Sequence, residues 1–209
     1  MPEMKPDSSS TKRLLSEAAS GDRGAFDDLF ARHQDALHRF IELRLDRRLR
    51  ARLDPSDLVQ DTQLQAFRKL DDYLRRRPMP FRLWLQKTAY ERLDKARRRH
   101  VRAARRSVER ETPLADRSSR ILAQQILEKA GPSQRLSRNE VVRLVGEAIA
   151  ELGDIDREIL MMRSFERLSY DEIAFILEVE PAAARKRFGR ALLRLRKTLS
   201  DRGLLEDDA

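Results

Sequence analysis

The sequence from Ser169 to Lys197 reads SYDEIAFILEVEPAAARKRFGRALLRLRK and decides the fold of its half of the chain. Ser169 and Glu172 have the spacing of a capping box, which starts a short helix. Pro181 marks the start of a longer helix, because proline is favoured at the first helical position. A capped helix, a tight turn and a basic helix in this order predict a helix-turn-helix.

The two sides of the second helix of this motif differ in chemistry. We expect Ala184 and Phe188 to face the core, with Val179 filling the turn and the small Ala174 letting the two helices cross closely. The other side presents cations that suit phosphate oxygens and the guanine edge. These are Arg185, Lys186, Arg187, Arg190 and Arg194.

Three more helices are predicted in the first half of the chain. Apolar residues at three-and-four spacing predict one helix; they are Phe26, Leu29, Phe30, Leu37, Phe40, Ile41 and Leu45. Asp54-Pro55 is a cap followed by a first-turn proline and starts the next helix, whose apolar residues are Leu58, Val59, Leu64, Phe67 and Leu70. Pro78 and Pro80 end it, and a third helix starts near Phe81, with Trp84 expected in the core.

These patterns predict an all-α protein of two small helical domains joined by a linker, the C-terminal domain containing the helix-turn-helix. A second capping box at Ser137 and Glu140 starts the C-terminal domain. The predicted boundaries are an N-terminal tail at 1–20, a first domain at 21–100, a linker at 101–136, a second domain at 137–202 and an acidic tail at 203–209.

The charge of the chain is segregated along the sequence. Its 209 residues carry a net charge of +9, but Arg75–Arg110 carries +11 and Pro181–Arg202 carries +7, while the stretch Glu147–Glu180 between them carries −7. Clustered charge of this kind suits a polyanionic partner. The chain has no cysteine and three histidines, so we expect no metal site, and with no apolar run long enough to span a bilayer we expect a cytoplasmic protein without membrane contact.

Three segments together resemble the extracytoplasmic-function (ECF) group of bacterial RNA polymerase sigma factors. DPSDLVQDTQLQAF at Asp54–Phe67 is similar to an acidic helix of that family, and PFRLWLQKTAYERLDKARRR at Pro80–Arg99 is similar to the segment that follows it. The helix-turn-helix matches the second DNA-binding domain of the family. The resemblance implies that residues 21–100 form a domain like sigma region 2 and residues 137–202 a domain like sigma region 4.

The resemblance also implies roles for individual residues. The acidic helix would bind core RNA polymerase through Asp57, Leu58, Gln60 and Asp61. The basic helix after it would recognise and melt the −10 promoter element through Lys87, Tyr90, Arg92, Arg97 and Arg98, with the loop at 77–81 as a further candidate. The −35 element would be read by Ala183, Arg185, Lys186, Arg187 and Arg190.

The implied function is that of a sigma factor, which binds core RNA polymerase and directs promoter-specific transcription initiation. Promoter DNA is the second expected partner, and the family implies an anti-sigma factor as a candidate third. We expect no enzymatic activity, cofactor or small-molecule substrate, because the sequence contains neither a phosphate-cradling glycine loop nor an isolated nucleophile beside a base. The alternative is a stand-alone helix-turn-helix transcriptional regulator, which would have no need of the acidic helix.

Overall fold

The structure of the chain is a computed structural model that describes residues 4–45, 50, 53–104, 121, 124 and 137–204. The elements with defined bounds in these ranges are eight α-helices, and the described residues contain no β-strand. The predicted all-α class is therefore confirmed for the described part of the chain. The chain divides into two compact units, Met1–Glu42 with Leu49–Val108, and Leu43–Arg48 with Glu109–Ala209.

In the described part of the chain, each unit contains four of the helices that have defined bounds. The first unit contains α1 (Ser9–Ala19), α2 (Arg23–Glu42), α3 (Pro55–Arg76) and α4 (Phe81–Ala104). The second contains α5 (Arg138–Ala150), α6 (Asp154–Ser164), α7 (Tyr170–Leu177) and α8 (Pro181–Asp201). Residues 101–104 of the predicted linker continue α4, and most of that linker lies outside the described residues, as do residues 205–209 of the predicted acidic tail.

Local capping chemistry sets the helix starts as predicted. The Asp54 carboxylate accepts the Ser56 backbone N–H at 2.7 Å, with proline at the first position of α3. In α7 the capping box is complete, since the Ser169 N–H donates to the Glu172 carboxylate and the Glu172 N–H donates to the Ser169 hydroxyl. At α5 the Ser137 hydroxyl accepts the Glu140 N–H at 3.3 Å.

The core of the first unit forms around α2, which packs against α1, α3 and α4. The predicted apolar face of α2 is buried, and its largest members are Phe26, Leu29, Phe30, Leu37, Phe40 and Ile41. Helix α1 lies within the stretch predicted to be a tail and buries Leu14 and Leu15. No sequence pattern predicts this helix.

A carboxylate from the N-terminal segment caps α4. The Phe81 backbone N–H donates to both carboxylate oxygens of Asp7, each at 3.0 Å. This negative charge also interacts favourably with the partial positive charge at the start of a helix. The start of α4 therefore depends on a residue that lies far from it in sequence.

The core of the second unit joins α5, α6 and α8. Its buried residues are Val141, Val145, Ala148, Ile149, Leu152, Leu160, Ala191, Leu195, Leu199 and Leu204. Helix α8 ends at Gly203, which has a φ of +71°. The Gly203 N–H donates to the Ser200 carbonyl at 2.8 Å, and the Leu204 N–H donates to the Leu199 carbonyl at 2.9 Å. This pairing is a Schellman motif, which accommodates glycine in the left-handed region. Leu204, the second residue of the predicted acidic tail, is therefore part of the core.

The second unit also contains a buried ion pair. The Arg44 side chain is 1% exposed and donates to the Glu158 carboxylate at 2.8 Å and to that of Glu166 at 2.5 Å. Burial lowers the pKa of Arg44, but the two carboxylates outweigh it and hold the pKa above its ordinary value. Removing either acid would leave buried charge less well compensated, which is costly.

Candidate protein and nucleic-acid interfaces

The outer face of α3 is acidic and polar at its start. Asp57, Gln60 and Asp61 are exposed, and their spacing of three and four residues places them on one side of the helix. This arrangement presents carboxylate and amide acceptors together, where an arginine-bearing protein surface could bind them. Like charge makes the same face unsuitable for DNA.

Two large apolar side chains continue this face. Leu64 is 48% exposed and Phe67 is 53% exposed, although the apolar spacing predicts that both belong to the apolar side of the helix. The Phe67 ring meets that of Phe26 edge-on at 5.2 Å and is otherwise half open to solvent. Counting by three and four from Asp57 would have assigned both residues to the outer face. We define Asp57, Gln60, Asp61, Leu64 and Phe67 as the α3 face.

Leu58 lies apart from the α3 face. Its side chain is 7% exposed, and the neighbouring Thr62 hydroxyl donates to the Leu58 backbone carbonyl at 2.6 Å inside the core. Of the four residues predicted to bind polymerase, the structure therefore brings Asp57, Gln60 and Asp61 together at the surface. It places the Leu58 side chain beneath them.

Helix α4 carries the residues predicted to contact the −10 element. Lys87, Tyr90 and Arg97 are partly exposed, and Arg98 is exposed and forms an ion pair with Asp94. At about 100° per residue these four predicted contacts fall on one broad side of the helix. Within the first unit they form a mainly cationic surface that suits a nucleic-acid backbone.

Arg92 points to a different side of α4. Its guanidinium lies 3.8 Å from the Asp61 carboxylate of α3, and its side chain is 20% exposed. At about 100° per residue Arg92 lies on the side of α4 opposite to the other four predicted contacts. The structure therefore separates Arg92 from the other predicted −10 residues and places it next to a predicted polymerase contact.

The loop between α3 and α4 is held by aromatic packing. The Tyr73 hydroxyl donates to the Met79 carbonyl at 3.0 Å, and the Met79 side chain is buried. Burial, and secondarily the charge of Asp7, raises the pKa of Tyr73, so the hydroxyl keeps its proton. Trp84, which was expected in the core, is only partly buried. Its ring stacks on that of Tyr73 with centroids 4.5 Å apart, at the border of the core beside this loop.

The helix-turn-helix has the predicted local structure. Ala174 of α7 is buried near the turn, and Ala184 of α8 is fully buried, while Val179 and Phe188 are partly buried. Glu178 adopts the left-handed region at φ 54°. A non-glycine residue there costs on the order of 1 kcal/mol, so this turn is built despite an unfavourable residue.

The predicted DNA contacts of α8 differ in how they are held. Lys186 and Arg190 are exposed on the side away from the core, and Ala183 is partly buried. Arg187 donates to the Asp156 carboxylate of α6 at 3.0 Å, and Arg194 lies 3.9 Å from the same group. The structure therefore adds Asp156, which no sequence signal indicated, as an anion beside the basic helix.

An aromatic ring holds Arg185 on the other border of α8. The Arg185 guanidinium lies over the ring of Tyr170 at 5.1 Å, and that of Arg163 lies over the same ring at 4.9 Å. The Phe188 ring meets Tyr170 edge-on at 6.1 Å. Tyr170 is the first residue of α7, and no sequence pattern indicates a role for it.

The described residues contain no group of three or more histidine, cysteine, aspartate or glutamate side chains arranged to hold a metal ion. None of the helices in the described ranges combines the length and apolar character needed to cross a bilayer. The surfaces that the described residues do offer are the α3 face, the cationic side of α4 and the basic side of α8.

Comparison with known proteins identifies similar sequences over most of the chain. A family described as Sigma-70, region 4 matches residues 143–195. The RNA polymerase sigma factor CnrH of Cupriavidus metallidurans is 30% identical over 187 residues, which cover 87% of this chain and 90% of that protein. The RNA polymerase sigma-H factor of Pseudomonas aeruginosa is 26% identical over 188 residues, 90% of this chain and 93% of that protein.

Solved structures share the fold. The structure of CnrH in complex with the cytosolic domain of CnrY matches with a TM-score of 0.59 and 24% identity, covering 92% of this chain and 98% of that one. The sigma factor RpoE in complex with the anti-sigma factor NepR from Bartonella quintana matches with a TM-score of 0.59 and 20% identity, covering 84% and 96%. At these identities the likeness concerns the fold alone.

Proposed function

Because the chain belongs to the ECF group of RNA polymerase sigma factors, we propose that it binds core RNA polymerase and directs it to promoters. The observation that carries this proposal is the presence, in one chain, of an acidic and apolar α3 face and a basic helix-turn-helix. The first suits a protein partner and the second suits DNA. A transcriptional regulator that acts without polymerase would not need the α3 face.

The α3 face is the proposed polymerase contact. Exposed leucine and phenylalanine beside carboxylates provide an apolar anchor with a polar rim, which is the usual composition of a protein interface. From the predicted contact set of Asp57, Leu58, Gln60 and Asp61 we keep the three exposed residues as direct contacts, and we add Leu64 and Phe67. Leu58 would support this face from below.

The two cationic helices are the proposed promoter contacts. Lys87, Tyr90, Arg97 and Arg98 of α4 would hold the −10 element, where cations bind the backbone of a separated strand and an aromatic ring can stack on a base. Helix α8 would enter the major groove at the −35 element with Lys186 and Arg190 outermost. Binding accounts for this activity without a covalent step, and we place it in the cytoplasm, where polymerase and DNA are found.

An anti-sigma factor is a further proposed partner. The similar sigma factor from Bartonella quintana was solved with its anti-sigma factor NepR, and we infer that a protein of this class controls the present chain. The chain is co-expressed with the product of a neighbouring gene. Lower transcription from promoters that this chain directs, together with a complex between the two proteins, would support the inference. Full activity in the presence of every such protein would contradict it.

The proposed function is tested by association and by transcription. The purified chain is mixed with core polymerase, and run-off transcription is measured on templates selected by mapping transcript starts after overexpression. We expect Gln60→Ala/Asp61→Ala to lose association with core polymerase, while Asp27→Ala/Asp28→Ala, which alters exposed acids of α2, retains it. Duplex binding with no polymerase association at moderate salt would instead identify a stand-alone regulator.

A further inference from the structure

Tyr170 connects the first helix of the helix-turn-helix to the second. Its ring is shared by the guanidinium groups of Arg163, at 4.9 Å, and Arg185, at 5.1 Å. Both distances lie within the range in which a cation is attracted to an aromatic face. The Phe188 ring, edge-on at 6.1 Å, supports the tyrosine from α8 itself.

The ring is a fixed platform. Tyr170 follows Ser169, whose capping box with Glu172 sets the start of α7. Arg163 is anchored independently, because it donates to the Leu168 carbonyl at 2.8 Å. The position of the ring is therefore determined by the fold of the second unit, and not by Arg185.

Arg185 is exposed on α8, so its side chain would be poorly ordered without a contact to hold it. Ala184 and Ala191 face the core, and at about 100° per residue Lys186 and Arg190 point away from it. Arg185 lies at the border next to α7, while Arg187 lies at the opposite border and is held there by Asp156. At each border of α8 an arginine is therefore held by a residue from another helix, Arg185 by Tyr170 and Arg187 by Asp156.

We propose that Tyr170 is a positioning residue for promoter recognition, whose ring orders Arg185 for contact with a base edge. The inference rests on the proposed entry of α8 into the major groove. Residues near the start of a recognition helix reach base edges, and arginine recognises guanine by paired hydrogen bonds whose geometry must be met. An arginine that is already ordered loses less conformational entropy when it binds.

The test compares variants of Tyr170 in holoenzyme assembled from the full chain and core polymerase. The probe is a promoter duplex obtained by mapping transcript starts, together with duplexes altered at single base pairs of its upstream element. We expect Tyr170→Leu to weaken binding about two- to five-fold, the size of an exposed cation–π contact, and to reduce discrimination at one base pair. Tyr170→Phe keeps the ring and should restore both properties.

A double-mutant cycle separates positioning from a general loss of structure. In an Arg185→Ala background, Tyr170→Leu should cause no further loss. Phe175→Leu makes a similar change elsewhere on α7 and should leave discrimination at that base pair intact. Urea unfolding of each free chain measures whether the second unit stays folded.

Three results would overturn the proposal. Tyr170→Leu could bind like the wild type, it could weaken binding equally with and without Arg185, or Tyr170→Phe could lose as much as Tyr170→Leu, which would indicate a contact by the hydroxyl. A different result would contradict the proposed DNA contact of α8 itself. In that case Arg185→Ala, Lys186→Ala and Arg190→Ala would all bind the duplex as the wild type does.

Discussion

Helices α3 and α8 begin in the same way and expose opposite chemistry. Each follows an acidic residue in extended conformation, Asp54 or Glu180, and each has proline at its first position. Beyond this shared start, α3 exposes acids with Leu64 and Phe67, whereas α8 exposes cations at its start and Leu192 and Leu193 further along. The start of a helix therefore gives no indication of its partner, which depends on the residues that face outward.

The two helices also differ in how their charges are held. Among the described residues, the acids of the α3 face have Arg92 as their partner from a neighbouring helix, 3.8 Å from Asp61. On α8 the arginines at both borders are fixed, Arg187 by Asp156 and Arg185 by Tyr170. Fixed side chains suit the reading of base edges, which demands precise geometry, while a protein partner can adjust its own side chains to α3.

Reversing one charge on α3 and one on α8 should change binding affinity more than the other substitutions. The pair of variants tests whether α3 binds polymerase and α8 binds DNA. We expect Asp61→Lys to weaken binding to core polymerase about tenfold or more, since like charges would then meet across the interface. Arg190→Glu should instead weaken promoter binding by a similar factor at saturating polymerase. Fluorescence titrations measure both affinities.

Asp27→Lys, which reverses an exposed acid of α2, is the control for the change in net charge. It should leave polymerase affinity within about twofold. If Asp61→Lys and Arg190→Glu lose the same activity to the same degree, the two helices do not divide their partners.

Truncation of Phe67 should have the next largest effect. Its ring is half open to solvent, so Phe67→Ala should lower the free energy of unfolding by only about 1 kcal/mol, the value of one edge-on aromatic contact. The same change should weaken polymerase binding by about 1–2 kcal/mol, because exposed aromatic anchors contribute strongly to interfaces. Phe67→Leu preserves apolar surface and should retain most of the affinity. A large loss of stability without a loss of affinity would assign Phe67 to the core.

The two helix starts should show the smallest effect. Asp54→Ala should cost about 1 kcal/mol of unfolding free energy, since the carboxylate accepts the Ser56 N–H. Glu180 makes no such side-chain bond, so Glu180→Ala should stay within about 0.5 kcal/mol. Urea unfolding of both variants gives the difference, and equal losses would show that Glu180 stabilises α8 by another route.

Features that depend on a few neighbouring residues were predictable from the sequence. The cap at Asp54, the capping box at Ser169 and the first-turn proline at Pro181 each involve groups within one helical turn, and the structure contains all three. The same local patterns identified the helix-turn-helix. The three-and-four spacing of apolar residues did not predict the exposure of Leu64 and Phe67. This spacing groups apolar residues together but does not show where the buried side of a helix ends.

Features that join distant segments were not predictable. Arg187 and Asp156 are 31 residues apart, and the contact of Tyr170 with Arg185 depends on how α7 crosses α8. Helix α1 has few apolar residues, so its packing on α2 left no strong periodic signal. In each case the deciding interaction forms only after the helices have packed, and a single sequence carries no record of that geometry.

The cap that Asp7 places on Phe81 has a consequence for how the chain folds during synthesis. The two residues are 74 positions apart, so the carboxylate emerges from the ribosome long before the amide that it binds. At usual rates of about 5–20 residues per second, the N-terminal segment waits several seconds for this partner. Closing so long a loop raises the contact order of the first unit, and its native state is complete only once the whole of α4 has been made.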